Sequence, residues 1–138
     1  MGSTSIPVAE VSSLTEPYWS GLDEGELRFQ HCDQCGNAWL PAREECPRCL
    51  HAAWTWQVAS GGGRLVSWVI YHRAYHEAFA ERLPYNVALI ELDEGPRLLS
   101  NLIDGPPHAD PRIDQPVRLV VQHEGPLALT GFELQHGT

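Results

Sequence analysis

Two short stretches decide how this chain is read: Cys32-Asp33-Gln34-Cys35-Gly36 and Cys46-Pro47-Arg48-Cys49. They hold all four cysteines of the 138-residue sequence. Each is a CxxC, a turn that puts two sulfurs on one tight knuckle, and two knuckles complete the tetrahedron a soft divalent metal prefers. Gly36 follows the first knuckle, where a left-handed backbone is often needed. Pro47 stiffens the second. Ligand count and spacing favour one structural zinc on Cys32, Cys35, Cys46 and Cys49. Iron fills the same tetrahedron, and disulfides are the remaining alternative. A four-thiolate site keeps no position for water, so the expected role of the metal is to hold structure.

Short extended runs surround the knuckles. Leu27–Gln30 leads into the first, Ala38–Leu40 lies between them, and Trp54–Val58 follows the second. This is the pattern of a rubredoxin-like ribbon. Trp39, Trp54 and Trp56 would cover a module too small for an ordinary core, with the metal as its staple. Upstream, Thr15-Glu16-Pro17-Tyr18-Trp19 reads as a helix start, with Thr15 as cap and Pro17 in the first turn. Gly25 reads as its stop. So short a helix must dock on something, either its own chain or a partner.

Ser60-Gly61-Gly62-Gly63 marks a junction. Beyond it, β-branched and aromatic residues form five strand-like runs: 64–72, 86–92, 97–103, 117–123 and 127–134. Turns at Asp93–Pro96 and Glu124–Pro126 separate two of the pairs. Several runs are apolar on both sides, which suggests a small closed barrel of the five-stranded OB type. The expected fold is mainly β. Residues 1–26 form a tail and short helix, 27–60 a zinc ribbon, and 61–138 the barrel. Residues 73–85 form a long connection whose Tyr75, Phe79 and Leu83 recur every four residues, so part of it is expected to be helical.

Composition narrows the function. The net charge is −9, and all nine basic residues are arginines. That balance speaks against sequence-independent nucleic-acid binding, which needs a basic surface. No window approaches a membrane span. The first thirty residues carry no basic start followed by an apolar run, so no signal peptide is expected. The cysteine usage fits the reducing cytoplasm. With no lysine, and with its thiols committed to metal, the chain has no evident nucleophile. His72 and His76 beside Glu77 could form an acid–base pair but fit no recognised catalytic spacing. His31 and His51 flank knuckles that already have their ligands. Glu91, Asp93 and Glu94 read as a solvated turn. Arg64, Arg73, Arg82 and Arg97 are candidates for holding phosphates.

The order of helix, CxxC–CPxC ribbon and barrel is more specific than any one part. Tyr18-Trp19 precedes the ribbon, and Gly63-Arg64-Leu65-Val66-Ser67 opens the barrel. Pro84-Tyr85-Asn86-Val87-Ala88-Leu89-Ile90-Glu91-Leu92-Asp93-Glu94-Gly95-Pro96-Arg97 runs across its second strand and turn. On these residues the chain resembles the DUF35 family of zinc-ribbon plus OB-fold proteins over about residues 14 to 135.

The resemblance implies a non-catalytic accessory subunit of a thiolase-superfamily acyl-CoA enzyme. The partner would be a thiolase, a thiolase-like retro-aldolase of steroid side-chain degradation, or an acyltransferase. The accessory chain would stabilise the complex and help form a channel for a CoA thioester shared with the partner. A heterotetramer is expected, because thiolases are commonly dimers. Only the four cysteines match a defined family site; no catalytic residue and no CoA-binding residue is assigned. The aromatic helix face of Tyr18, Trp19 and Leu22, and the connection bearing Tyr75, Phe79 and Tyr85, are the expected partner contacts, because large aromatics outside strands anchor interfaces. A nucleic-acid-binding OB module and a rubredoxin-like electron carrier are the alternative readings.

Overall fold

A computed structural model describes residues 12–71, 85–103, 110–124 and 127–135. Among these residues there is one short helix, and eight strands form two sheets. The helix α1 spans Glu16–Asp23. The Thr15 side chain does not cap it, as its position had suggested. It turns back instead: Thr15 Oγ1 accepts the Ser12 N–H at 2.9 Å, and Ser12 Oγ accepts the Thr15 N–H at 3.2 Å. The helix stop at Gly25 is as expected. Gly25 has φ +83°, its N–H reaches Leu22 O at 2.9 Å, and the Glu26 N–H reaches Gly21 O at 2.7 Å. Both bonds belong to a Schellman ending, which needs a left-handed residue at that place.

The first sheet is the ribbon. β1 (Arg28–Cys32) is central, with β2 (Ala38–Trp39) on one side and β3 (Trp54–Val58) on the other, both antiparallel. The second sheet has the order β6-β5-β4-β7-β8. Its strands are β4 (Gly62–Tyr71), β5 (Tyr85–Leu92), β6 (Arg97–Ser100), β7 (Pro116–Glu124) and β8 (Leu127–Leu134). β4 pairs with β5 along its length but with β7 only over Gly62–Arg64, and a register shift between Leu65 and Ser67 bends it from one neighbour to the other. Such irregularities let a small sheet curl.

Curling brings the two edges together. Leu102 bridges Phe132 in parallel, Phe132 N–H reaches Asn101 O at 2.8 Å, and Ile103 N–H reaches Phe132 O at 2.9 Å. Ser100 and Thr130 hydroxyls meet at 2.8 Å across the same seam. Buried Asn86 ties the seam from inside, donating to Leu102 O at 2.9 Å and accepting the Leu102 N–H at 2.7 Å. The architecture is mainly β, with a curled five-stranded sheet of the OB type.

A single apolar core joins all three parts. Leu22 of α1, Leu27 and Phe29 of the ribbon, and Leu65, Ile90 and Phe132 of the barrel belong to one buried cluster. Each such side chain contributes on the order of 1.5–3 kcal/mol by leaving water. The helix therefore docks on its own chain, against β1 and β8. Arg28 straps it down: the guanidinium donates to Pro17 O at 3.1 Å and pairs with Glu24 and Glu26. The strap lies so close to Gly21 that a Cβ there would meet Arg28 Cδ at 2.8 Å.

The Gly61–Gly63 junction has a packing reason. A Cβ on Gly63 would stand 2.6 Å from the Glu91 carbonyl oxygen on the neighbouring strand. Backbone cannot retreat without breaking the β4–β5 ladder. Gly63→Ala is expected to lower stability by about 1–3 kcal/mol. Ser67→Ala, at an exposed position on the same strand, should stay within about 0.5 kcal/mol of the parent. Chemical denaturation of the two variants reads the difference.

Candidate functional site

The four cysteine sulfurs all lie within 4.8 Å of one another. Cys32 Sγ and Cys49 Sγ are 3.5 Å apart, and Cys35 Sγ and Cys46 Sγ 3.6 Å. Those separations exceed a disulfide's ~2.05 Å, and the four thiols are unpaired covalently. They fit the ~3.8 Å edge of a tetrahedron with Zn–S near ~2.3 Å. Among the described residues this is the one cluster of metal-ligating side chains with that convergence.

The two knuckles repeat the same local structure. Gly36 N–H reaches Cys32 O at 3.1 Å, and Leu50 N–H reaches Cys46 O at 2.9 Å. Cys32 N–H reaches Asn37 O at 2.8 Å, and Cys46 N–H reaches His51 O at 2.9 Å. The leading sulfur of each knuckle accepts two backbone N–H groups: Gln34 and Cys35 on Cys32, Arg48 and Cys49 on Cys46, all at 3.4 Å. The Asn37 amide adds a bond to Cys46 Sγ at 3.7 Å.

These donors favour thiolates. The Cys35 N–H, with that of Gln34, holds the Cys32 thiol below its ordinary value. Burial opposes ionisation of Cys46, yet the N–H groups of Cys49 and Arg48 bring it down to about 6. Against the pull of the His51 N–H, burial and the three neighbouring thiols push Cys49 up to about 12. A cation bound among the four converging sulfurs would let all of them ionise together. Trp39 and Trp54 close over the cluster. The centre is a structural metal site of the zinc-ribbon kind, and Cys32, Cys35, Cys46 and Cys49 are the residues that would hold the ion.

The ribbon also positions a loop. Gln30, fully buried, donates to Arg43 O at 2.8 Å and accepts the Arg43 N–H at 2.7 Å. Trp54 Nε1 donates to Glu44 O at 2.8 Å. Thus fixed, Leu40, Pro41 and Ala42 form one wall of an apolar groove of about 450 Å³. Tyr18 and Trp19 of α1 form a second wall, and Leu89, Arg97, Leu98 and Leu99 of β5 and β6 a third. Tyr18 and Trp19 meet edge to face at 5.0 Å.

The expected partner contacts fare unequally. Tyr18 and Trp19 are half-buried and pack on the core while lining this groove. Leu22 is 0 % exposed and belongs to the core, so it is corrected from a contact to a structural residue. Its place one turn after Tyr18 turns it inward against β1 and β8. Tyr75 and Phe79 lie outside the described residues, as do His72, His76, Arg73 and Arg82. Tyr85 opens β5 opposite Tyr71. The acidic run is no simple solvated turn. Glu91 is gripped by Arg64, which also holds Asp114, and Arg97 stands farther off at 3.8 Å. Glu94 accepts the Ser60 N–H at 2.7 Å and so ties the turn to the ribbon–barrel junction.

The groove itself was not anticipated. Its signal was the lack of alternation in Val87–Leu92 and Leu98–Leu99, which leaves Leu89 and Leu99 on the outer side of the sheet.

Residues 19–55 match the rubredoxin-like zinc ribbon domain of ChsH2, and residues 56–122 match the ChsH2 C-terminal OB-fold domain. A solved chain of an Ltp2-ChsH2(DUF35) aldolase superposes with a TM-score of 0.80 at 30% identity, covering 92% of this chain and 98% of that one. The chain belongs to the DUF35 family. A DUF35 domain-containing scaffold protein of Methanothermobacter thermautotrophicus is 38% identical over 82 residues, 59% of this chain and 61% of that protein. A probable enoyl-CoA hydratase alpha subunit of Thermomonospora curvata is 35% identical over 86 residues, 62% of this chain and 26% of that protein. The match therefore spans less than two thirds of each of these two relatives. No helix among the described residues is long and apolar enough to cross a membrane.

One DUF35 knuckle carries an avoidable strain. Leu50 occupies the position that Gly36 holds in the first knuckle, and both are left-handed, at φ +66° and +80°. Leu50 is 67 % exposed, so little packing rewards its side chain. Leu50→Gly is expected to stabilise the chain by about 0.5–1 kcal/mol, the relief of the left-handed penalty less the added freedom of the unfolded chain. Thermal melting of the metal-loaded protein checks this.

Proposed function

We propose that this chain is a non-catalytic accessory subunit of a thiolase-superfamily acyl-CoA enzyme. The observation that carries the reading is the likeness, over 92% of the chain, to a DUF35 chain of an aldolase. Scaffold relatives point the same way. The chemistry of the chain agrees: its thiols converge on a closed metal site, and it has no lysine. A thiolase, a retro-aldolase acting on steroid side chains, or an acyltransferase is the proposed partner, in a complex with two chains of each kind. The hydratase relative adds a hydratase as a second partner class. The partner supplies the reacting groups and holds most of the CoA thioester, and this chain closes part of the channel. The cytoplasm is the proposed compartment.

Tyr18, Trp19 and Tyr85 are the proposed contacts within the described residues. Tyr75 and Phe79 complete the proposed face. Its test starts from the partner that co-purifies from the native cell, identified by mass spectrometry and then produced separately. The isolated chain is expected to show no thiolysis, retro-aldol cleavage or thioester hydrolysis. Mixing the two should give a stable complex by native mass spectrometry. Trp19→Ala should weaken association of the folded fraction at least about tenfold. Turnover by the pure chain alone would refute the subunit reading, and unchanged affinity would remove the helix pair from the interface.

A further inference from the structure

The groove between α1, the 40–42 loop and β5–β6 has the chemistry of a ligand site. Its volume of about 450 Å³ lies in the range of small-molecule pockets, which are apolar with a few placed polar groups. Arg97 is the only charged residue among the described residues that line it. The Arg97 side chain is 53 % exposed, and its ion pair to Glu91 is long, at 3.8 Å. Glu91 is already gripped by Arg64. The Arg97 guanidinium thus keeps most of its donors for an incoming anion, in a protein of net charge −9.

The walls also say what kind of body fits. Trp19, Leu40, Leu89 and Leu98 offer apolar surface and few bonding groups. A peptide laid between them would leave its backbone N–H and C=O groups poorly paired. A hydrocarbon has none to pair. We propose that this groove binds an amphipathic organic anion, with a hydrocarbon body between helix and sheet and a carboxylate on Arg97. The groove shares Tyr18 and Trp19 with the proposed partner face, so the proposal is tested on the isolated chain.

Titration calorimetry of the full-length, metal-loaded chain with decanoate, kept below its micelle concentration, reads the site. One saturable site per chain is expected. Arg97→Gln should weaken decanoate about tenfold, by loss of a charge-assisted pair. It should leave decan-1-ol, which keeps the body and lacks the charge, unchanged. Leu99→Glu should abolish decanoate binding by placing a carboxylate at the rim. Arg97 and Leu99 are both exposed, so both variants should fold, and melting temperatures verify that. Val58→Glu, on the exposed face of β3, should bind as the parent does. No saturable uptake would overturn the proposal, as would uptake that neither groove substitution alters. Loss of partner association in Leu99→Glu, without decanoate binding in the parent, would also overturn it and make the groove a protein contact.

Discussion

The meeting of four sulfurs at one point is the constraint on which the ribbon rests. A three-stranded sheet whose second strand has only two residues cannot bury enough apolar surface to hold itself. A metal held by the four cysteines would supply the missing core, because its binding energy is also folding energy. From it follow the two matched knuckles, the tryptophans closed over them, and the 40–45 loop pinned by Gln30 and Trp54. That loop becomes a wall of the groove, so the thiolates shape a surface that they do not touch.

The second linkage is the shared core. Leu27 and Phe29 leave the ribbon and enter the barrel's interior, and Leu22 brings the helix with them. Arg28 and Glu94 fasten the same junctions with charge. Ribbon, helix and barrel are thereby held as one body.

The fold was largely legible because its determinants are local. CxxC spacing, Gly25, Gly36 and the β-branched runs act within a few residues of themselves. What escaped depends on distant neighbours. Thr15 looked like a cap, but the chain ahead of it turns so that Ser12 takes its side chain. Leu22 shares a helix face with Tyr18 and Trp19, and only the docking angle onto β1 and β8 decides which of them is swallowed. Gly21 faces the Arg28 side chain where the helix docks, and Gly63 faces the Glu91 carbonyl across paired strands, neighbours that only the fold supplies. The acidic run looked solvated, because nothing near it in sequence announced Arg64 or the Ser60 N–H. The convergence of the four cysteines was readable to the residue; the groove, built from three separated segments, was not.

The central claim, that a metal at the four cysteines holds the ribbon together, is tested most directly by hydrogen exchange before and after chelation. Elemental analysis fixes the starting state. The account predicts one zinc per chain. It also predicts that removing the zinc abolishes amide protection across residues 28–58 while the β4–β8 sheet keeps more of its own. Full protection of the ribbon in metal-free protein, or stoichiometric iron in place of zinc, would contradict it.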